Sequence, residues 1–375
     1  MEGLCYIGED IIQIKNFPIP EIENDTDAIV EITYASICTS DIHIIKGKVP
    51  RAKKGVILGH EGVGKIHQIG EGVKKFKVGA HVSINCITFC GECYFCKQGF
   101  INNCTKGGWE IGCTINGTLA KYVRVPYADN SLNLIPDNEI TNNNDDEEDE
   151  DESCDLDDKD FLFVGDALSR GYFGVELGNV KNGDIVGVIG CGPVGLCTLI
   201  CGKLKGAKLI VFDINDKCLN YAKKCKLADY YINPKNYKTD EELMKKIEEI
   251  CGEKKGCDCS IEVAGTDESF QMAWKITRPN GIVSLVAMYE KNQELPLPIM
   301  YGKNLTFKTG GVDAIHCDYL IKLIKEKKIS TKPLITHEVV FEDILNGINM
   351  FKNKQDFCVK IAVRLWINAN WKWFI

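Results

Sequence analysis

Residues 186–196 read VGVIGCGPVGL, a short apolar run that breaks into three glycines, Gly190, Gly192 and Gly195, spaced G-x-G-x-x-G. The run carries no charge and is rich in β-branched residues, as a strand buried on both faces requires. The glycines allow a tight turn and close approach of a ligand to the backbone, and Pro193 and Val194 fall where a helix would open. A helix starting behind such a turn aims free amides and the positive end of its dipole at an anion, which suits a dinucleotide pyrophosphate. Alone, a glycine triplet is weak evidence. Its weight comes from KLIVFDI (208–214), a second apolar strand carrying Asp213 eighteen residues after Gly195. A carboxylate there accepts hydrogen bonds from ribose hydroxyls and repels an added phosphate, and no arginine follows closely. The expectation is therefore NAD rather than NADP. Asp213 also reads, more blandly, as a strand-end turn residue.

Working outward, the same alternation continues. Apolar strands DIVGVIG (184–190), KLIVFDI, DCSIEVAG (258–265) and GIVSLVAM (281–288) are spaced by helix-like segments such as ESFQMAWKITRP (268–279). That pattern predicts an α/β unit with a doubly wound parallel sheet. The first 135 residues differ, with strand-like AIVEITYAS (28–36) and AKYVRVPY (120–127) set between glycine turns. A chain of 375 residues exceeds one core, so two domains are expected. Residues 185–202 carry no charge, but five glycines and a proline argue for a buried strand and helix rather than a membrane span.

Charge is concentrated rather than spread. The chain has a net charge of −8, while Asp145–Asp160 holds twelve acids and one lysine, or −11, leaving about +3 (−8 + 11) for the rest. No basic stripe supports nucleic-acid binding. The acidic run reads as a solvated, low-complexity insert over about 138–160. Nineteen cysteines, with no basic start and apolar run at the N-terminus, point to reduced thiols and a cytoplasmic location.

Cys90, Cys93, Cys96 and Cys104 form C-x2-C-x2-C-x7-C in CGECYFCKQGFINNC (90–104). Four thiolates within one loop can close a tetrahedron around zinc. Such a site has no open position and would be structural. An iron–sulfur reading is disfavoured because its fourth cysteine would follow after three residues. Free thiols remain the third reading. Elsewhere CTSDIH (38–43) gathers Cys38, Ser40, Asp41 and His43, and GHEGVGKI (59–66) contributes His60 and Glu61. Taken singly, these read as packed core or turn residues.

The ordered set of C-x-S-D-x-H, GHEGVG, the four-cysteine lobe and GCGPVG resembles the zinc-containing medium-chain alcohol dehydrogenases. The likeness continues through GWEIGCTINGTLAKYVRVPYAD (108–129) and LITHEVVFEDI (334–344). It implies a GroES-like β-rich catalytic domain over 1–167 and 309–375 and a Rossmann cofactor domain over 168–308. It also implies two Zn2+ per chain, one structural and one catalytic. For the catalytic zinc it implies Cys38, His60 and a third ligand just before the cofactor domain. FVGDALSRGYFGVE (163–176) places Asp166 there, as in the secondary-alcohol and formaldehyde-type branch, and Cys154 in the acidic run is a poor substitute. By the same resemblance Glu61 approaches the metal, Asp41 orients His60 through its second ring nitrogen, and Ser40 and His43 relay the alcohol proton. The implied activity is reversible hydride transfer between a small primary or secondary alcohol and NAD, giving an aldehyde or ketone. A diol, threonine or formaldehyde substrate is the alternative within the family, and a non-catalytic zinc- and NAD-binding sensor or structural protein the alternative outside it. No membrane or nucleic-acid partner is implied; a homo-oligomer, dimer or tetramer, is.

Overall fold

The computed structural model describes residues 1–136 and 156–365. Most of the acidic run, Cys154 and the tryptophan-bearing end beyond residue 365 lie outside the described residues. Six parallel strands form one sheet in the order Tyr230–Ile232, Lys208–Phe212, Ile185–Ile189, Cys257–Glu262, Thr277–Leu285, Thr306–Thr309. The two central strands, Ile185–Ile189 and Cys257–Glu262, are buried at every position, which explains the unbroken apolar character of the first, whereas the second buries Asp258, Ser260 and Glu262 with hydrogen-bond partners. The chain order runs outward in both directions from this pair, so a crevice opens where their carboxyl ends diverge. The apolar segment 185–202 becomes the first of these strands and the helix Pro193–Leu204. Among the described residues no helix is long and apolar enough to cross a membrane.

A second, largely antiparallel sheet has the order Ile335–Val340, Lys360–Arg364, Ala28–Ser36, Glu61–Ile69, His81–Ile84, Leu132–Leu134, and Tyr122–Val125 also pairs with Ala28–Ser36. Strands from both ends of the chain share this sheet. Val363 pairs with Ala35 and Glu61 pairs with Ser36, so the return of the chain brings Lys360 near the start of the Glu61 strand. Its core is built from residues such as Val30, Ile32, Ile66 and Ile361.

The end of the acidic run is folded, a correction to its reading as solvated up to residue 160. Asp157 accepts a hydrogen bond from the Lys159 amide at the head of a short helical turn, Asp158–Phe161. Asp158 bonds Thr33 Oγ1 at 2.5 Å and His81 Nδ1 at 3.2 Å, and Asp160 is buried. Capping and specific partners offset the cost of ordering these acids, which composition alone does not reveal.

Candidate active site

Cys38 precedes the helix Thr39–Ile45, and its amide donates to Asp41 Oδ2 at 2.8 Å. His60 ends the turn before the strand Glu61–Ile69. Asp166 lies in one wide π-helical turn, Val164–Leu168, ahead of the helix Ser169–Leu177. Widened turns of this kind re-aim a side chain. Asp166 Oδ2 stands 3.4 Å from Cys38 Sγ and 3.4 Å from His60 Nε2. One donor atom from each residue lies within 4.8 Å of the others, a thiol, imidazole and carboxylate set that can hold a metal ion. Burial alone would lower the His60 pKa, but Asp41 and Asp166 outweigh it and hold the imidazole well above its ordinary value. Burial would likewise raise Asp166, yet contact with His60 and the Arg170 charge keep its carboxyl below the usual range. A cradle that retains a proton so firmly is electrostatically suited to a dication, and this donor chemistry fits zinc.

His60 Nδ1 is 3.6 Å from Asp41 Oδ1, too long for a formed hydrogen bond, and is a buried ring nitrogen left without a partner. Asp41 sits where a small ring rotation completes that bond. It also accepts from the Gly59 amide at 3.1 Å, which ties the two motifs together.

Glu61 is not brought into this ligand group. It is 1% exposed and forms an ion pair with Lys360, itself 1% exposed, which donates to the Ile37 carbonyl at 3.2 Å as well. Burial pushes the Glu61 pKa up and Lys360 opposes it. Lys360 holds one carboxylate oxygen, Oε2, while the other, Oε1, is buried without a hydrogen-bond partner among the described residues. Lys360 carried no local signal, being 299 residues away in sequence.

Ser40 Oγ is 3.4 Å from Cys38 Sγ and lines a cavity of about 1140 Å³ together with His60, Asp166, Trp109 and Arg170. His43 follows on the same helix, half-buried, with Nδ1 at 3.4 Å from Glu290 Oε1. No direct hydrogen bond between Ser40 and His43 is present. The cavity also reaches Val286–Met288 and Thr309–Gly311 at the carboxyl ends of the parallel strands, where a doubly wound sheet receives its ligand. Arg170 and Glu290 were both missed in the sequence. Arg170 was readable only as the residue one helical turn past Asp166.

The four lobe cysteines converge too, with all Sγ atoms within 4.8 Å of one another, Cys93 to Cys96 at 3.4 Å and Cys90 to Cys104 at 3.6 Å. Amides of Cys90 and Lys106 donate to Cys104 Sγ at 3.3 and 3.4 Å. Backbone donation at Cys96 pulls the Cys93 pKa down to about 6, while burial pushes Cys96 up to about 12. Backbone amides thus reach Cys93, Cys96 and Cys104, and thiolate-stabilising donors are what a thiolate-bound zinc needs.

At the glycine turn, Gly190 has φ +107°, and a Cβ on Gly195 would meet the Gly190 carbonyl at 2.1 Å. Glycine is required at both. Gly192 caps the helix that Pro193 and Val194 begin, and a Cβ there would meet nothing within 4 Å, so the turn is open to a ligand. Asp213 accepts from the amides of Cys191 at 2.7 Å and Asn215 at 2.8 Å. It lines a second cavity of about 820 Å³ with Gly190, Ile214 and Thr266.

Residues 24–137 match the alcohol dehydrogenase GroES-like domain, and residues 193–314 match the zinc-binding dehydrogenase family. An alcohol dehydrogenase of Cupriavidus necator is 31% identical over 97% of this chain and 98% of its own. A glutathione-independent formaldehyde dehydrogenase of Pseudomonas aeruginosa is 30% identical over 70% of this chain and 65% of its own. Among solved structures, zinc-dependent alcohol dehydrogenase 2 from Streptococcus pneumonia superposes with a TM-score of 0.86 at 33% identity, covering 98% of this chain and 99% of that one. Alcohol dehydrogenase TADH from Thermus sp. ATN1 also reaches 0.86, at 26% identity and 97% and 99% coverage. Geometry, fold and kinship agree: the chain belongs to the zinc-type alcohol dehydrogenase family, with a GroES-like unit joined to a Rossmann-like one.

Proposed function

We propose that this protein is a zinc-dependent oxidoreductase that transfers hydride between a small primary or secondary alcohol and NAD, reversibly giving an aldehyde or ketone. The observation that carries it is the convergence of Cys38, His60 and Asp166, the latter two lining a cavity that reaches the carboxyl ends of the parallel strands. The formaldehyde dehydrogenase among its relatives keeps that substrate, and the diol and threonine alternatives, within the same chemistry.

Cys38, His60 and Asp166 would hold zinc, which would supply the Lewis acidity that lowers the alcohol pKa toward neutrality. One thiolate and one carboxylate balance the dication. Ser40 takes the hydroxyl proton, and His43 passes it toward Glu290 and solvent. Asp41, 3.6 Å from His60 Nδ1, would fix the tautomer that leaves Nε2 for the metal once that bond closes. Gly190, Gly192 and Gly195 admit the pyrophosphate, and Pro193 and Val194 start the helix that receives it. Asp213, held by two amides, meets the adenosine ribose, which favours NAD over NADP. Cys90, Cys93, Cys96 and Cys104 hold the second, structural zinc.

The same reading assigns 1–167 and 309–375 to the catalytic domain and 168–308 to the cofactor domain. It also assigns a homo-oligomer working in the cytoplasm, in keeping with the free thiol on every described cysteine. The test supplies NAD or NADP with a panel of primary, secondary and diol alcohols and follows reduced-cofactor absorbance. Turnover that a zinc chelator abolishes is the expected result. A protein with zinc bound but silent across the panel would be the non-catalytic sensor instead.

A further inference from the structure

The cavity at the ligand cluster is lined by two arginines. Arg170 Nη2 lies 3.8 Å from Asp166 Oδ1, and Nη1 donates to the Val286 carbonyl at 3.4 Å. A guanidinium has five N–H donors, so its fork keeps unused ones beside the cavity. Arg51 stacks on Trp109, 5.1 Å from its ring centre, and no carboxylate among the described residues forms an ion pair with it.

Counting charge around Arg170 shows what is missing. The groups acting on it are Asp166, Cys86, Cys38 and Glu61. Lys360 neutralises Glu61. Cys86 is buried and donates its S–H to Asp166 Oδ1 at 3.5 Å. With zinc in place, Cys38 and Asp166 are consumed in balancing the dication. Asp313, the other acid lining the cavity, lies against His316 and accepts from the Ile315 amide. Arg170 is 17% exposed and is then left as a cation without a counter-ion, which is costly at that depth.

We propose that the substrate brings the missing charge: Arg170, seconded by Arg51, binds a carboxylate, and the alcohol oxidised here is a short hydroxy acid. The inference rests on the alcohol-oxidising reading above. Arg170 touches one oxygen of Asp166 while the other faces Cys38 and His60, so carboxylate and carbinol are close, on adjacent carbons or one carbon apart. The carbinol carbon gives its hydride to the oxidised nicotinamide, the hydroxyl proton leaves by Ser40 and His43, and the product is an oxo acid with its carboxylate untouched.

Matched pairs test this in the zinc-loaded enzyme with NAD: lactate against 2-propanol, and 3-hydroxybutanoate against 2-butanol. The acid of each pair should show kcat/KM about 10- to 100-fold higher, the scale of a charge-assisted hydrogen bond. Arg170→Gln and Arg51→Gln should each shrink that ratio, Arg170→Gln by about tenfold, and Arg170→Lys, which keeps charge without the fork, should recover part of it. Calorimetric titration of lactate without cofactor gives a second readout, with Kd weakened at least tenfold in Arg170→Gln. A preference for the neutral alcohols, or Arg170→Gln lowering both members of a pair equally, overturns the proposal; the latter would assign the guanidinium to the cofactor. Neutral-alcohol turnover with no lactate binding sinks this inference and leaves the oxidoreductase standing. Arg170-dependent lactate binding with no turnover of any alcohol does the reverse.

Discussion

The two sulfur-bearing clusters solve opposite problems. The lobe draws four like donors from fifteen consecutive residues on a partly exposed loop, and backbone amides tune its sulfurs. The Cys38–His60–Asp166 cluster draws three unlike donors from three separate elements, with Cys38 and Asp166 128 residues apart. Tuning there comes from buried charges, Asp41, Arg170 and the Glu61–Lys360 pair. The first arrangement closes around an ion and is local; the second leaves room for substrate and depends on both sheets being in place. The proposed chemistry needs the second, because a catalytic metal site keeps a position for substrate beside a cavity.

The sharpest way to break the contrast is to remove one ligand from each. Asp166→Ala should lower turnover by at least about a thousandfold while cofactor binding, read by fluorescence titration, persists. Cys96→Ser should instead cost stability, seen as a lower unfolding temperature and loss of one zinc per chain, with turnover per folded molecule changed only a few-fold. Equal loss of turnover in both would dissolve the distinction. A middle-sized effect is expected at Lys360. Lys360→Met strands the Glu61 carboxylate in the interior and should cost about 3–5 kcal/mol in urea unfolding, and adding Glu61→Gln should restore part of it. No restoration would mean that packing, not charge, is what Lys360 supplies.

The smallest effect tests the proton path. Burial lowers the His43 pKa, and the Glu290 carboxylate partly counters this by stabilising the imidazolium. Glu290→Gln removes that support, so the His43 pKa should fall further and stay neutral to lower pH. The acid limb of the kcat profile should therefore move to lower pH by a fraction of a unit. A shift upward would contradict the assignment of His43 as proton acceptor.

These contrasts also explain what the sequence displays. The four inner strands of the parallel sheet are legible because they are β-branched-rich runs closed by turns, whereas the edge strands Tyr230–Ile232 and Thr306–Thr309 are too short to show, and the glycine loop is legible because steric demands at Gly190 and Gly195 admit no other residue. The lobe is legible because its ligands are neighbours. At the cavity, Cys38, His60 and Asp166 are separate in sequence, and only the ordered resemblance to a family links them. Lys360, Arg170 and Glu290 escape even that reading, since their meaning lies in whom they face: a carboxylate on another strand, an acid one helical turn back, a histidine in the other unit. The folded end of the acidic run escapes for a related reason, because a charge count cannot tell Asp158, bonded to Thr33 and His81, from a solvated neighbour.

The carboxylate at position 166 bears on survival under oxidants. Thiolates climb from sulfenic toward irreversible sulfonic acid, whereas a carboxylate has no such ladder. At the three-residue cluster the proposed cradle would present one sulfur, Cys38, where a two-cysteine cradle would offer two. Cys86, bonded to Asp166 Oδ1 at 3.5 Å, stays a protonated thiol and is correspondingly slow to react. In a chain carrying nineteen cysteines, a zinc ion held at the proposed cluster would thus rest on a single oxidisable ligand.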